Sequence, residues 1–541
     1  MLATVVAVLA AIYFGLRQLL WATQDAREPP AIETALPFIS PILGVLRWGK
    51  DYTVQLRDRT RAPITTLRLP GFRLYLINSP QLVAAVQRQT KLLTFQAMQD
   101  SFARLICELS PTAIAAQDRT TTTWMNGTTQ SPSHIIYKAL LPGKHLDDMN
   151  RVMVEMLLQR VDSLVGSGEG YTGGLFEWLK REITVATTEG IYGPGNPYRD
   201  AKVRDAYWTY DSGVQFLCLS PQLAVAAQTA RRFLAATWCT YYSTSQHLRG
   251  SALIQQRHAW LTSEGFPAAD IAALEVGNGI AILSNTVPTA FWLVYHIFSN
   301  PAIYAACHAE VAAHVVTSPS SDPSARTRTL DISALKSACP LLLSTLKEVL
   351  RTYAVGVGLR YVSTDHLLGG IHLLKQGATV VMPTAVQHSD PSLWGADVAA
   401  FDYTRFAPDA ETQKQRARIN PMAFRAFGGG STACPGRHFA TTEVLVLVAV
   451  LLMRFEVRPA AGAHKGSQST AWPVATIKKA RMTSVMPGPD ADVRVAIAQK
   501  AEDRGVKWVW ELSAGAKGVV LAAEDGDVEI EGREGGREGV I

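Results

Sequence analysis

Residues 421–440 read Pro421-Met422-Ala423-Phe424-Arg425-Ala426-Phe427-Gly428-Gly429-Gly430-Ser431-Thr432-Ala433-Cys434-Pro435-Gly436-Arg437-His438-Phe439-Ala440. A lone cysteine sits between a glycine-rich turn and a Pro-Gly pair, and an apolar, helix-like stretch from Phe439 to Leu452 follows. Glycine lets the backbone approach a flat ligand closely and reach unusual φ values. The start of the next helix places unpaired N–H groups and a positive dipole near the sulfur, which favours thiolate over thiol. Such a cysteine is poised for metal. Structural zinc needs about four ligands in paired Cys or His spacings, and no second cysteine lies near. A haem iron needs one axial protein ligand, and a thiolate in that role favours O–O cleavage. A buried free cysteine behind a glycine-rich loop is the plainer alternative.

The chain around this run has a globular composition. Of 541 residues, 48% are hydrophobic and 18% charged, enough for a large core and too apolar for general disorder. The formal charge of +6 comes without a long basic run or interleaved aromatics, which excludes nucleic acid as an expected partner. The six cysteines are widely spaced, with no disulfide framework, as suits a reducing compartment. The sequon Asn126-Gly127-Thr128 matters only in a lumen, and is expected to be unused.

Met1 to Leu16 is uncharged and mostly apolar, and apolar character resumes at Leu19 to Trp21 after Arg17. Residues 1–24 are expected to be one transmembrane anchor; a cleaved signal peptide fits less well, lacking a basic start and a small-residue cleavage site. Arg17 and Arg27 on its C-terminal side orient the remainder to the cytosol, which points to the endoplasmic reticulum membrane. Pro29, Pro30, Pro37 and Pro41 make residues 25–45 a stiff linker. Ile64 to Asn78 alternates around Pro70-Gly71 and predicts a hairpin. Helical periodicity marks Leu146 to Val165, Phe176 to Ile191, Pro221 to His247, Ala269 to Phe298 and Cys339 to Arg351. Short extended pieces return at Val355 to Val362 and Thr379 to Met382. The fold class is mainly α with a small β-rich subdomain over residues 46–498, and the acidic, Gly-rich residues 499–541 are expected to be disordered.

Glu348 and Arg351 stand at i, i+3, where they can pair on one helix face. An isolated pair of this kind is worth under about 1 kcal/mol. Here Arg360, then Phe401-Asp402-Tyr403-Thr404-Arg405-Phe406, then the Cys434 run follow in order, and this succession resembles the cytochrome P-450 family of haem-thiolate monooxygenases. The haem signature is met by Phe427, Gly430, Cys434 and Gly436, with Gly428 inside the turn. Glu348 and Arg351 match the family's Glu-x-x-Arg helix, with Arg405 where the third partner lies. The resemblance covers about residues 270 to 495, and the anchor and proline hinge match microsomal members too. It implies a P-450 fold, haem b with Cys434 as the axial iron ligand, O2 and NADPH as co-substrates, and a flavoprotein reductase as partner.

Two departures concern the haem edge. Thr432 stands where the family has an Arg or His bonding a propionate, which leaves that task to Arg360. No Trp–Arg pair marks the helix that usually reaches the haem; Lys144 and His145 are the nearest substitutes. A third concerns the oxygen-activating helix, where the family carries an acid and an alcohol that relay protons. Here Ser284 replaces the acid and Asn285 the alcohol, with Thr286 adjacent; these are the expected catalytic residues. An amide orients water but is no proton donor. The run Asn285-Thr286-Val287-Pro288-Thr289-Ala290-Phe291-Trp292 resembles the branch holding sterol 7-hydroxylases and prostacyclin synthase. That branch contains monooxygenases and peroxide isomerases, so both reactions stay open, as does a haem protein without turnover. Arg418, Arg425, Arg437 and His438 are expected on the proximal side, where a reductase would dock or where they would be simply solvated. Substrate walls are expected around Phe95 to Ile135, Leu283, Val355 to Leu359 and Thr476 to Met486. They suit a terpenoid, steroid, polyketide or lipid-like molecule, and the fungal look of the sequence suggests secondary metabolism.

Overall fold

The computed structural model describes residues 2–129, 133–166, 170–318, 326–408, 420–460, 471–477 and 485–512. Arg418, residues 478–484 and residues 513–541 lie outside them. Helices dominate and small sheets lie at the margins. The Arg437–Arg454 helix, which follows the glycine-rich run, is buried on nearly all sides. A helix apolar around its circumference has no solvent face to offer, so it takes the centre. Each fully buried leucine or valine on it contributes about 1.5 to 3 kcal/mol by leaving water. Helices Lys144–Gly166, Thr286–Ser299 and Pro301–Ala313 pack around it.

The expected hairpin forms between Ile64–Leu69 and Phe72–Ile77, with Gly71 at φ 73° in the turn. Thr379–Pro383 joins it in parallel and Val357–Val362 adds antiparallel, placing Val380 opposite Arg360. Leu93–Thr94 closes the edge against Tyr361 and Val362. Arg360 is thereby held on a paired strand rather than in a loop.

Three expectations change. The proline stretch is not linker to residue 45, because Pro41 sits in the first turn of a helix, Ser40–Trp48, where its missing N–H is harmless. The single helix expected over Ala269 to Phe298 is two, Ala268–Leu283 and Thr286–Ser299, parted at Ser284-Asn285; Pro288 has no N–H to return to the Ser284 carbonyl. The stretch from Ala268 to Ser299 is long and apolar enough to cross a membrane by length and composition, yet most of it is packed inside. Finally, residues 499–512 are folded: Arg494–Gln499 pairs with Phe455–Pro459, and Lys507–Glu511 lies parallel to Thr327–Asp331. Asp503 anchors this end, accepting from Trp508 Nε1 at 2.7 Å and pairing with Arg328 at 3.1 Å.

Candidate active site

The glycine-rich run folds as a short loop around Cys434. Gly428 and Gly430 adopt φ 78° and 62°, conformations open to glycine at no steric cost, and the turn returns the Cys434 N–H to the Phe427 carbonyl at 2.7 Å. Arg437 Nη1 donates to the Cys434 carbonyl at 2.8 Å, and Tyr137 Oη donates to the Ala433 carbonyl. A Cβ on Gly436 would stand 4.0 Å from the sulfur, so glycine keeps that flank bare. Burial pushes the thiol up, opposed by the backbone N–H groups of Gly436 and Arg437 and by the Arg437 charge. The expected bias toward thiolate is therefore overridden by desolvation. A bound cation would reverse it, since a coordinating thiol is deprotonated.

Arg360 is 3% exposed. It donates to Thr432 Oγ1 at 2.5 Å and to its neighbour's carbonyl at 2.8 Å, and its ring contact is Phe95, 5.5 Å away. Among the described residues it has no carboxylate partner, and burial pulls its pKa down to about 10. A buried guanidinium without a counter-ion beside a thiol-bearing loop fits an anionic, flat ligand, so the residues present fit haem. Lys144 does not join them. It opens the Lys144–Gly166 helix with its side chain 83% exposed, drawn into an i, i+4 pair with Asp148.

Behind the loop, Glu348 accepts from Arg351 through both oxygens at 2.7 Å and from Arg405 Nε at 3.2 Å. Glu348 and Arg351 are 0% and 4% exposed, so this is no surface pair. Arg351 donates onward to the His388 carbonyl at 2.9 Å, and Asp397 holds the far edge of Arg405 at 2.9 Å. His388 receives the Arg425 N–H on Nε2 at 2.9 Å and donates from Nδ1 to the Arg351 carbonyl at 3.0 Å. That tautomer is neutral, and burial with the Arg351 and Arg425 charges holds its pKa down to about 3. The network ties the Glu-x-x-Arg helix to the segment that leads into the Cys434 loop.

The break between the Ala268–Leu283 and Thr286–Ser299 helices, the pocket helices of the haem reading, carries Asn285. Its Oδ1 accepts the Met486 N–H at 3.1 Å, and its amide nitrogen has no protein partner among the described residues. Thr286 is buried, its hydroxyl turned back to the Ile282 carbonyl at 3.4 Å. Ser284 Oγ donates to Asp211 and lies 3.0 Å from Tyr207 Oη. Asp211 and Tyr207 belong to the Ala201–Leu219 helix, and no sequence motif points to either.

Two of the expected walls touch, Val355 N donating to the Val485 carbonyl at 2.7 Å; Met486 meets Asn285, and Phe95 meets Arg360. The expected basic docking face does not form from the residues named for it. Arg425, Arg437 and His438 are 3%, 5% and 4% exposed, Arg425 donating to the Met382 carbonyl at 3.3 Å and Arg437 to that of Cys434, and Arg418 lies outside the described residues.

A family profile described as Cytochrome P450 matches residues 252–483. The chain is 31% identical over 503 residues to the cytochrome P450 monooxygenase nodJ of Hypoxylon pulicicidum, covering 91% of this chain and 94% of that one. It is 26% identical over 338 residues to 25-hydroxycholesterol 7-alpha-hydroxylase of Rattus norvegicus, covering 59% of this chain and 80% of that one. The fold superposes on retinoic acid bound cyanobacterial CYP120A1 with a TM-score of 0.64 at 20% identity, covering 88% of this chain and all of that one, 100%. The chain belongs to the cytochrome P450 family, as a fungal-type member with 7-hydroxylase relatives. It is a monooxygenase-class oxidoreductase, and the family implies a haem-thiolate iron.

Proposed function

We propose that the chain is a membrane-anchored monooxygenase that inserts one oxygen atom from O2 into an apolar small molecule, of the terpenoid, steroid, polyketide or lipid-like kind, in secondary metabolite biosynthesis. The observation that carries the reading is the presence of a loop-held thiol, Cys434, together with a buried Arg360 that has no carboxylate partner among the described residues. Cys434 holds haem b through Sγ, Arg360 with Thr432 binds its acidic edge, and Phe427, Gly428, Gly430 and Gly436 keep the loop thin beneath a flat ligand. Bound haem supplies the reductive activation of O2, with electrons from NADPH through NADPH–cytochrome P450 reductase. The chain's own residues supply shape and protons. Asn285 orients pocket water through its unpartnered amide, and the Glu348, Arg351 and Arg405 network fixes the loop.

The apolar substrate class is supported by the relative named for 25-hydroxycholesterol. Anchoring is supported by the Leu2–Ala22 helix, whose Val5, Val8, Ile12 and Phe14 are exposed; in an endoplasmic reticulum membrane it leaves the catalytic domain cytosolic. Reduced protein with carbon monoxide should give a thiolate-type Soret band that Cys434→Ala abolishes; a normal band in that variant would sink the assignment. Asn285 in the place of an alcohol favours one rival, an isomerase or dehydratase acting on a peroxide. Product formed from a peroxide with reductase omitted would establish the rival.

A further inference from the structure

The pocket helix lacks the acid that its family carries, but the structure brings one from elsewhere. Tyr207 and Asp211 stand at i, i+4 on the Ala201–Leu219 helix and so share one face. Tyr207 is fully buried and donates to the Gly279 carbonyl at 2.9 Å. A Cβ at Gly279 would meet its ring at 2.8 Å, so glycine there is what lets the two helices close. That contact places the Asp211 carboxylate on Ser284 Oγ, one residue before Asn285. The pocket helix's own acids are committed elsewhere: Asp270 accepts from Ser110 at 2.8 and 2.7 Å, and Glu275 is held by Arg257, Tyr192 and Tyr242. Among the described residues, Asp211 is the carboxylate bonded to the helix break. It is half-buried, so water reaches it.

We propose that Asp211, acting through Ser284, is the positioning carboxylate that feeds protons to the break at Asn285. Asp211 takes a proton from solvent and donates it to Ser284 Oγ as the serine passes its own proton to pocket water. One O–H bond breaks on the carboxyl, one forms and one breaks on the serine, and the carboxylate then reloads from solvent. The proposal rests on the monooxygenase reading, whose reaction consumes protons.

The test compares full-length, haem-loaded wild type with Asp211→Asn, Ser284→Ala, Ser284→Thr and the Asp211→Asn/Ser284→Ala double variant. Hydrogen peroxide release driven by NADPH and reductase, without added substrate, should slow at least about tenfold in each single variant. The double variant should be no slower than either single one, as expected of groups acting as a unit, and Ser284→Thr, which keeps the hydroxyl, should retain most of the rate. Thermal unfolding, which needs no turnover, should show non-additive losses for Asp211→Asn and Ser284→Ala. A lowered Tm with an unchanged peroxide rate would overturn the relay and leave only a clamp between helices, and additive losses would overturn the pairing on which the relay depends. Loss of the thiolate-type carbon monoxide band in wild type would instead overturn the monooxygenase reading.

Discussion

Arg360 Nη2 donates to Thr432 Oγ1 across 2.5 Å, so the hydroxyl that stands in a cation's usual place is held by the cation that substitutes for it. On the proposed reading, one guanidinium serves an edge that two basic side chains normally share. Arg360→Met should lower haem content per protein several-fold, read by pyridine haemochrome absorbance. Thr432→Ala should lower it little, because Arg360 stays on its strand. Arg360→Lys should fall between, keeping charge but losing the planar fork. Equal occupancy in Arg360→Met and wild type would refute the assignment.

Glu348 is shared by two buried arginines. Removing it leaves Arg351 without its carboxylate and Arg405 with Asp397 alone, and breaking a buried pair costs about 3 to 5 kcal/mol. Glu348→Ala should therefore shift the denaturant midpoint sharply or prevent accumulation of folded protein. Asp397→Ala, whose carboxylate is more than half exposed, should cost at most about 1 kcal/mol.

His388 and His296 are held down to about 3 and 4, both chiefly by burial, against an ordinary value of 6.5. As pH falls below 6.5, the unfolded chain takes up protons that the folded chain refuses. Stability is thus fully present above that value and drains away toward the folded pKa values. Tm should fall between pH 6.5 and 4, and His388→Gln, though less stable at neutral pH, should show a flatter profile. A Tm independent of pH over that window would contradict the neutral tautomer.

Glu443 has the opposite sign. It is fully buried on the Arg437–Arg454 helix with Thr187 as its hydrogen-bond partner at 2.7 Å, and burial raises it to about 8 from 4.5. Its carboxyl stays protonated in the fold while the unfolded chain ionises, so it takes stability away as pH rises from 4.5 toward 8. Glu443→Gln should raise Tm at pH 8 and leave it nearly unchanged at pH 4.5.

Much of this was legible in the sequence because it is local. The loop around Cys434 needs glycine at particular φ values, and Glu348 with Arg351 needs one helical turn; both are spelled out within a few residues. The Ser284-Asn285 break was half visible, since Pro288 weakens the helix without saying where it parts. Asp211 was invisible. Its partner lies 73 residues away, and only helix packing over Gly279 brings them together. Arg425, Arg437 and His438 misled for a related reason: a basic residue in a polar run reads as exposed, whereas here the loop folds over it.

The Lys507–Glu511 strand has a practical side. It covers one flank of Thr327–Asp331, which is the middle strand of its sheet, and it follows residues that read as the beginning of an acidic tail. Trimming the chain near Lys500 to aid crystallisation would uncover a row of unpaired backbone donors and acceptors, ready to pair with another molecule. Shortened versions ending before Lys507 should self-associate in size-exclusion chromatography, whereas those ending after Leu512 should not.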